Sequence, residues 1–112
     1  MKRYGMVTGL RAEKIDEYKE LHAAVWPDVL KMIKQCYIQN YSIYLRRLND
    51  GQHYLFGYLE YTGSEFAADM ARMAADLTTQ KWWAVCKPCQ RPLADRAPEE
   101  WWANMEEVFH CD

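Results

Sequence analysis

Ile38-Gln-Asn-Tyr41-Ser-Ile43-Tyr-Leu45-Arg-Arg-Leu48, then Asn49-Asp50-Gly51-Gln52, then His53-Tyr-Leu-Phe56-Gly-Tyr58-Leu-Glu-Tyr61 is the stretch that decides the fold. Two alternating runs rich in Tyr, Ile and Leu flank a four-residue cluster whose Asp-Gly step is a strong turn signal, so the segment predicts an antiparallel hairpin. In Tyr41-Ser-Ile43-Tyr-Leu45 and Tyr54-Leu-Phe56-Gly-Tyr58-Leu both alternating faces are apolar or aromatic. A sheet with one wet face alternates apolar with polar. The second face therefore pairs with another subunit, lines a ligand cavity, or does both.

Upstream, Arg3 to Leu10 reads as a first strand. Ile15, Tyr18, Leu21, His22, Val25 and Trp26 then repeat at helical spacing, with Glu13, Lys14, Asp16, Glu17, Lys19 and Glu20 on the solvated side. Pro27 interrupts this helix but fits the first turn of another, Asp28 to Gln35. Downstream, Ser64 is the expected N-cap of a second long helix, carried by Phe66, Met70, Met73, Ala74 and Leu77 through Trp82-Trp83 and ended by Pro88. Lys87 to Pro98 holds three prolines and reads as a loop, Trp101 to Asn104 is undecided, and Met105 to Cys111 alternates as a final strand. The order β-α-β-β-α-β is the split βαβ, ferredoxin-like pattern: an α+β fold with a four-stranded antiparallel sheet and helices on one face.

Length and composition narrow the function. The 112 residues suit one domain, 1–112, with a real core. Five Trp and eight Tyr exceed what a modest core uses, so some rings are expected at a pocket or an interface. A net charge of -2 without a basic run gives no footprint for a nucleic-acid backbone. No apolar stretch of signal-peptide or membrane-spanning length appears, so a cytoplasmic protein with no membrane partner is expected, its four cysteines reduced.

Tyr18, His22 and Trp26 recur every fourth residue, which sets an imidazole between two aromatic rings along one helical stripe. Histidine titrates near neutrality, and aromatic walls with one phenolic hydroxyl suit proton transfer on a small polyhydroxylated ligand. An amphipathic stripe packing into a core, with His22 as a satisfied passenger, carries the same spacing. Tyr41 sits on the adjacent hairpin. In Trp82-Trp83 the two indoles point about 100° apart, so one can enter the core while the other faces a cleft. Trp101-Trp102 is a similar pair, read as structural. Cys86-Lys-Pro-Cys89 has the spacing of a redox pair or half a zinc site, but it comes after a helical run and contains its terminating proline, so the thiols read as inert. His53 and His110 are assigned to strands without an acidic partner and read as structural. No metal cluster and no phosphate loop is found, and no cofactor is expected.

Glu17-Tyr18 through His22 to Val25-Trp26-Pro27, Asn40-Tyr41-Ser-Ile43-Tyr44-Leu45, Leu55-Phe56, Trp82-Trp83 and Glu107-Val108-Phe109, at these intervals, resemble the L-rhamnose mutarotase family over nearly the whole chain. The resemblance implies a dimeric α+β barrel, hence a homodimer, that interconverts the anomers of a small-molecule sugar substrate, L-rhamnose, without a metal. It implies His22 as the catalytic proton donor and Tyr18, Tyr41, Trp82 and Trp83 as substrate-binding residues. Two stretches depart from the family pattern: a longer hairpin around Asn49 to His53, and Pro92 to Trp102 in place of an Asn- and Pro-rich approach to the last strand. These departures leave L-fucose as a rival sugar. Dimeric-barrel monooxygenases or haem-degrading enzymes, and a non-enzymatic sugar-binding module, are the alternatives of other classes.

Overall fold

The computed structural model of residues 1–112 runs β1 (Lys2–Leu10), α1 (Ile15–Ala23), α2 (Pro27–Gln35), β2 (Ile38–Arg47), β3 (His53–Tyr61), α3 (Phe66–Ala75), α4 (Leu77–Cys86), β4 (Gln90–Arg91) and β5 (Ala103–Met105). The sheet is antiparallel in the order β2-β3-β1-β4, with β5 also on β1. β4 and β5 share one edge of β1: Gln90 and Arg91 lie opposite Leu10 and Gly9, and Ala103 to Met105 opposite Val7 to Gly5. Together they occupy the fourth position of the expected split βαβ sheet, as one strand cut in two. No helix is long and apolar enough to cross a membrane.

The hairpin forms as its turn residues dictate. Gly51 takes φ +81, the left-handed conformation that costs glycine least, and the Asp50 carboxylate accepts the Gln52 backbone N–H at 2.9 Å.

Four details differ from the sequence reading. The first helix ends at Ala23, and Trp26 adopts φ -58, ψ 132 ahead of Pro27, the extended geometry that a following proline imposes. Trp26 therefore does not share α1 with Tyr18 and His22. The second long helix is two helices, broken at Asp76, whose carboxylate accepts the Thr79 backbone N–H at 3.0 Å and its hydroxyl at 2.8 Å. That cap starts α4 afresh. Ser64 caps nothing: Glu65 precedes α3, and its N–H donates to the Tyr61 hydroxyl at 3.0 Å, which in turn donates to Asp69. Finally, the last strand is Ala103–Met105, not Met105 to Cys111. Beyond it the alternating residues are solvent-exposed, Val108 by 86% and Phe109 by 81%. The stretch 87–98 is correspondingly not all loop. The Arg11 N–H donates to the Cys89 carbonyl at 2.8 Å and brings Gln90 and Arg91 onto β1.

A β-bulge shapes the sheet. Gln39 pairs with Glu60 and Ser42 with Tyr58, so β2 spends one residue more than β3 over this interval, and Asn40 sits at φ +48. The extra residue shifts the alternation, and Ile38, Tyr41 and Ile43 all turn to the face that the helices cover. Leu10, Leu55, Tyr18, Val29, Trp82, Cys86 and Cys89 make one buried cluster beneath the helices, and Cys36, Ile38, Leu59 and Met73 make a second. Between them the packing is incomplete, and a pocket opens. It lies under the helices, not on the uncovered face as one reading of the hairpin allowed. The uncovered face carries the cross-strand row Val7, Phe56 and Tyr44, with Tyr44 66% exposed.

Candidate active site

The pocket holds about 350 Å³ and takes walls from all four helices and the sheet. That volume lies at the small end of ligand sites. His22, Tyr18, Tyr41, Trp82 and Trp83, the five residues singled out in the sequence, all line it. Tyr18 and His22 are one turn apart on α1, the bulge supplies Tyr41, and α4 supplies both indoles.

The imidazole of His22 is fixed on three sides. Its ring stacks on Tyr18 with centroids 4.1 Å apart and planes 25° apart, and the Trp82 indole meets it edge-on at 5.3 Å. Nδ1 lies 2.9 Å from the Tyr18 carbonyl oxygen, which can only accept, so Nδ1 carries a proton and donates it there. Nε2 is left as the nitrogen free for a ligand. In the neutral ring it holds a lone pair, and in the imidazolium a second N–H. Burial holds the His22 pKa below the ordinary imidazole value, partly opposed by the bond to the Tyr18 carbonyl. At neutral pH the ring is therefore uncharged, ready to accept a proton at Nε2.

Tyr18 is buried, and desolvation pushes its phenol far above the ordinary range, with the Gln90 side chain pulling the other way. Tyr41 keeps 39% of its surface exposed, yet desolvation of its phenol raises its pKa to about 12. Both stay protonated at physiological pH and act as neutral hydrogen-bonding groups. The two indoles divide as their spacing implies. Trp82 is a core residue, 6% exposed and packed edge-on against Trp26 at 5.1 Å. Trp83 is half-buried, with the Lys87 ammonium 5.3 Å above its ring. Trp26 braces Trp82 and does not reach the pocket.

The lining also includes Lys87, Gln90, Trp101 and Trp102, which the sequence reading does not assign to a site. The Trp101-Trp102 pair, structural in the sequence reading, lines the pocket. Gln90 gives no local signal, because only the pairing of β4 with β1 brings it in. Cys86 also lines the pocket. Burial raises its thiol to about 12, so it presents an unreactive S–H. All four cysteines are free, and no three His, Cys, Asp or Glu side chains converge on a point that could hold a metal ion. His110 lies outside any strand, and its Nε2 is 2.6 Å from Asp112 in the exposed C-terminal segment, which corrects its reading as a strand residue without an acidic partner.

A charge-poor aromatic pocket with one uncharged imidazole and two protonated phenols can bind a small polyol and move a proton on it. Known proteins share this chain's pattern. A family model described as L-rhamnose mutarotase matches residues 3–111. The L-rhamnose mutarotases of Oceanobacillus iheyensis and Bacillus subtilis are 34% and 30% identical, each alignment covering all of both chains. A crystal structure of L-rhamnose mutarotase from Formosa agariphila has the same fold, with a TM-score of 0.74 at 22% identity over the whole of both chains.

Proposed function

The chain belongs to the L-rhamnose mutarotase family, and from that premise we propose that it interconverts the α and β anomers of L-rhamnose, with His22 carrying the proton. The observation that supports this reading best is the tethered imidazole. Nδ1 is committed to the Tyr18 carbonyl, so a single nitrogen, Nε2, both takes and returns the proton.

The chemistry needs little more. Nε2 accepts the proton of the anomeric hydroxyl, C1–O1 becomes a carbonyl, the bond from C1 to the ring oxygen breaks, and that oxygen takes the proton from the imidazolium. The anomeric and ring oxygens share C1, so one imidazole reaches both. Rotation about C1–C2 presents the other carbonyl face, and the reverse steps close the ring as the other anomer. Tyr18 and Tyr41 orient sugar hydroxyls, while Trp82 and Trp83 cover the apolar face of the ring and the methyl of a 6-deoxy sugar. Comparing the protein's acceleration of anomer exchange for L-rhamnose with that for L-fucose, by saturation-transfer NMR, tests the substrate; greater acceleration for L-fucose would reassign it.

The pH profile has a definite sign. The reactive form is neutral His22, and burial lowers its pKa, so kcat/KM is on its plateau at pH 8 and its inflection lies below about 6.5, the ordinary imidazole value. The fall on the acid side comes as Nε2 becomes protonated in the free enzyme. Measuring exchange from pH 5 to 8 checks this, and an inflection above 6.5 would contradict it.

The homodimer belongs to the same proposal. Val7, Phe56 and Tyr44 form an apolar row across the face no helix covers, and Val108 and Phe109 are exposed in the segment after β5. A second copy would bury this row. Light scattering should give twice the 13.3 kDa chain mass, and Tyr44→Glu should shift it toward one; a monomeric wild type refutes the dimer.

A further inference from the structure

The segment between α4 and β5 returns Gln90 and Trp101 to the site, where they form an ordered hydrogen-bond chain to Tyr18. The Trp101 indole N–H donates to Gln90 Oε1 at 2.6 Å, and Gln90 Nε2 donates to the Tyr18 hydroxyl oxygen at 3.1 Å. Gln90 is 5% exposed, so its amide is largely shielded from bulk solvent. Trp101 is held in turn by the Lys87 ammonium, 5.0 Å above its ring.

The direction of this chain is set by its first member. An indole N–H can only donate. The amide atom facing Trp101 must therefore be the oxygen, which turns the NH₂ to Tyr18. The Tyr18 oxygen is thereby an acceptor on its Gln90 side. Its own hydrogen is directed elsewhere, and the hydroxyl's only side-chain partner in the protein is Gln90. Tyr18 lines the pocket.

We propose that Trp101 and Gln90 are positioning residues that orient the Tyr18 hydroxyl as a hydrogen-bond donor to the bound sugar. This deepens the mutarotase reading and rests on it. The two ligand-facing groups on α1 then have complementary polarity: His22 Nε2 accepts and Tyr18 O–H donates. A hydroxylated substrate at C1 is held by one acceptor and one donor from adjacent turns of a single helix, and Tyr18 keeps its proton throughout.

Gln90→Glu tests the polarity directly. A carboxylate still accepts from Trp101, but its second oxygen also accepts, so the Tyr18 hydrogen turns away from the sugar. Exchange of L-rhamnose anomers should slow by on the order of tenfold, as for Tyr18→Phe, the scale of one lost hydrogen bond. The double variant Tyr18→Phe, Gln90→Glu should be no slower than Tyr18→Phe alone, because Gln90 acts only through Tyr18. Trp101→Phe, which removes the N–H that fixes the amide, should slow exchange less and serves if Gln90→Glu does not fold. Multiplicative losses in the double variant, or Gln90→Glu and Trp101→Phe both at the wild-type rate, overturn the proposal. L-Rhamnose affinity, followed by tryptophan fluorescence on the wild type, the two single variants Tyr18→Phe and Gln90→Glu and their double variant, separates the two levels. A wild type that binds sugar without accelerating exchange defeats the mutarotase reading, and the relay then stands or falls on the same non-additivity in affinity.

Discussion

His22→Ala is expected to slow catalysed exchange of L-rhamnose anomers by about 10²–10⁴-fold, the usual contribution of a positioned acid-base group, while the protein still folds. The expectation rests on Nδ1 being committed to the Tyr18 carbonyl at 2.9 Å and on Nε2 being the nitrogen open to a ligand. Neither pocket phenol can take over as the base. Desolvation raises both phenols, Tyr41 to about 12, so neither ionises near neutrality. The fold should survive because the ring is half-buried against the pocket and holds no core hydrogen bond besides the one along its own helix. Exchange spectroscopy with circular dichroism as the folding control reads both halves. Near-wild-type exchange in a folded His22→Ala protein would remove the imidazole from the mechanism.

Trp82→Ala should have the largest effect on stability. Its indole is 6% exposed, belongs to the cluster that joins Leu10, Leu55 and Val29, and meets both His22 and Trp26 edge-on. Truncating a buried aromatic residue costs about 3–5 kcal/mol, a large share of the roughly 5–15 kcal/mol that holds a domain folded. Tm should fall by about 10 °C or more. Trp83→Ala offers the contrast: that ring is half-buried, so its loss should weaken sugar binding with a smaller fall in Tm. Differential scanning calorimetry on both variants checks the division. Equal losses would mean that the two indoles share the core.

What the sequence made legible follows from where the physical signal is local. The hairpin reads directly because Asp50-Gly51 supplies the φ that the turn needs and the flanking residues alternate. His22 and Tyr18 read directly because both lie within α1. Trp26 does not, since Pro27 ends that register one turn early. The adjacency of hairpin and helix makes Tyr41 a candidate beside His22, and family likeness implies its role as a sugar contact; its turn into the pocket depends on a one-residue bulge at Asn40 that an alternating pattern does not announce. The break at Asp76 was present as Asp-x-x-Thr79, but Ala74 and Leu77 continue the helical spacing across it and mask the cap. β4 and β5 are two and three residues long and exist only because β1 offers an edge, so no periodicity of their own betrays them. Gln90, Trp101 and Trp102 are brought to the site by those two strands, so the sequence pattern does not announce them either.

Anomer exchange on a 6-deoxy sugar through one tethered imidazole is the reaction proposed for this protein. Saturating the anomeric proton of one form of L-rhamnose, with and without wild-type protein at neutral pH, tests it most directly. Saturation that passes to the other anomer only when the protein is present is the predicted result. An unchanged signal, under conditions where tryptophan fluorescence reports bound sugar, would contradict the account.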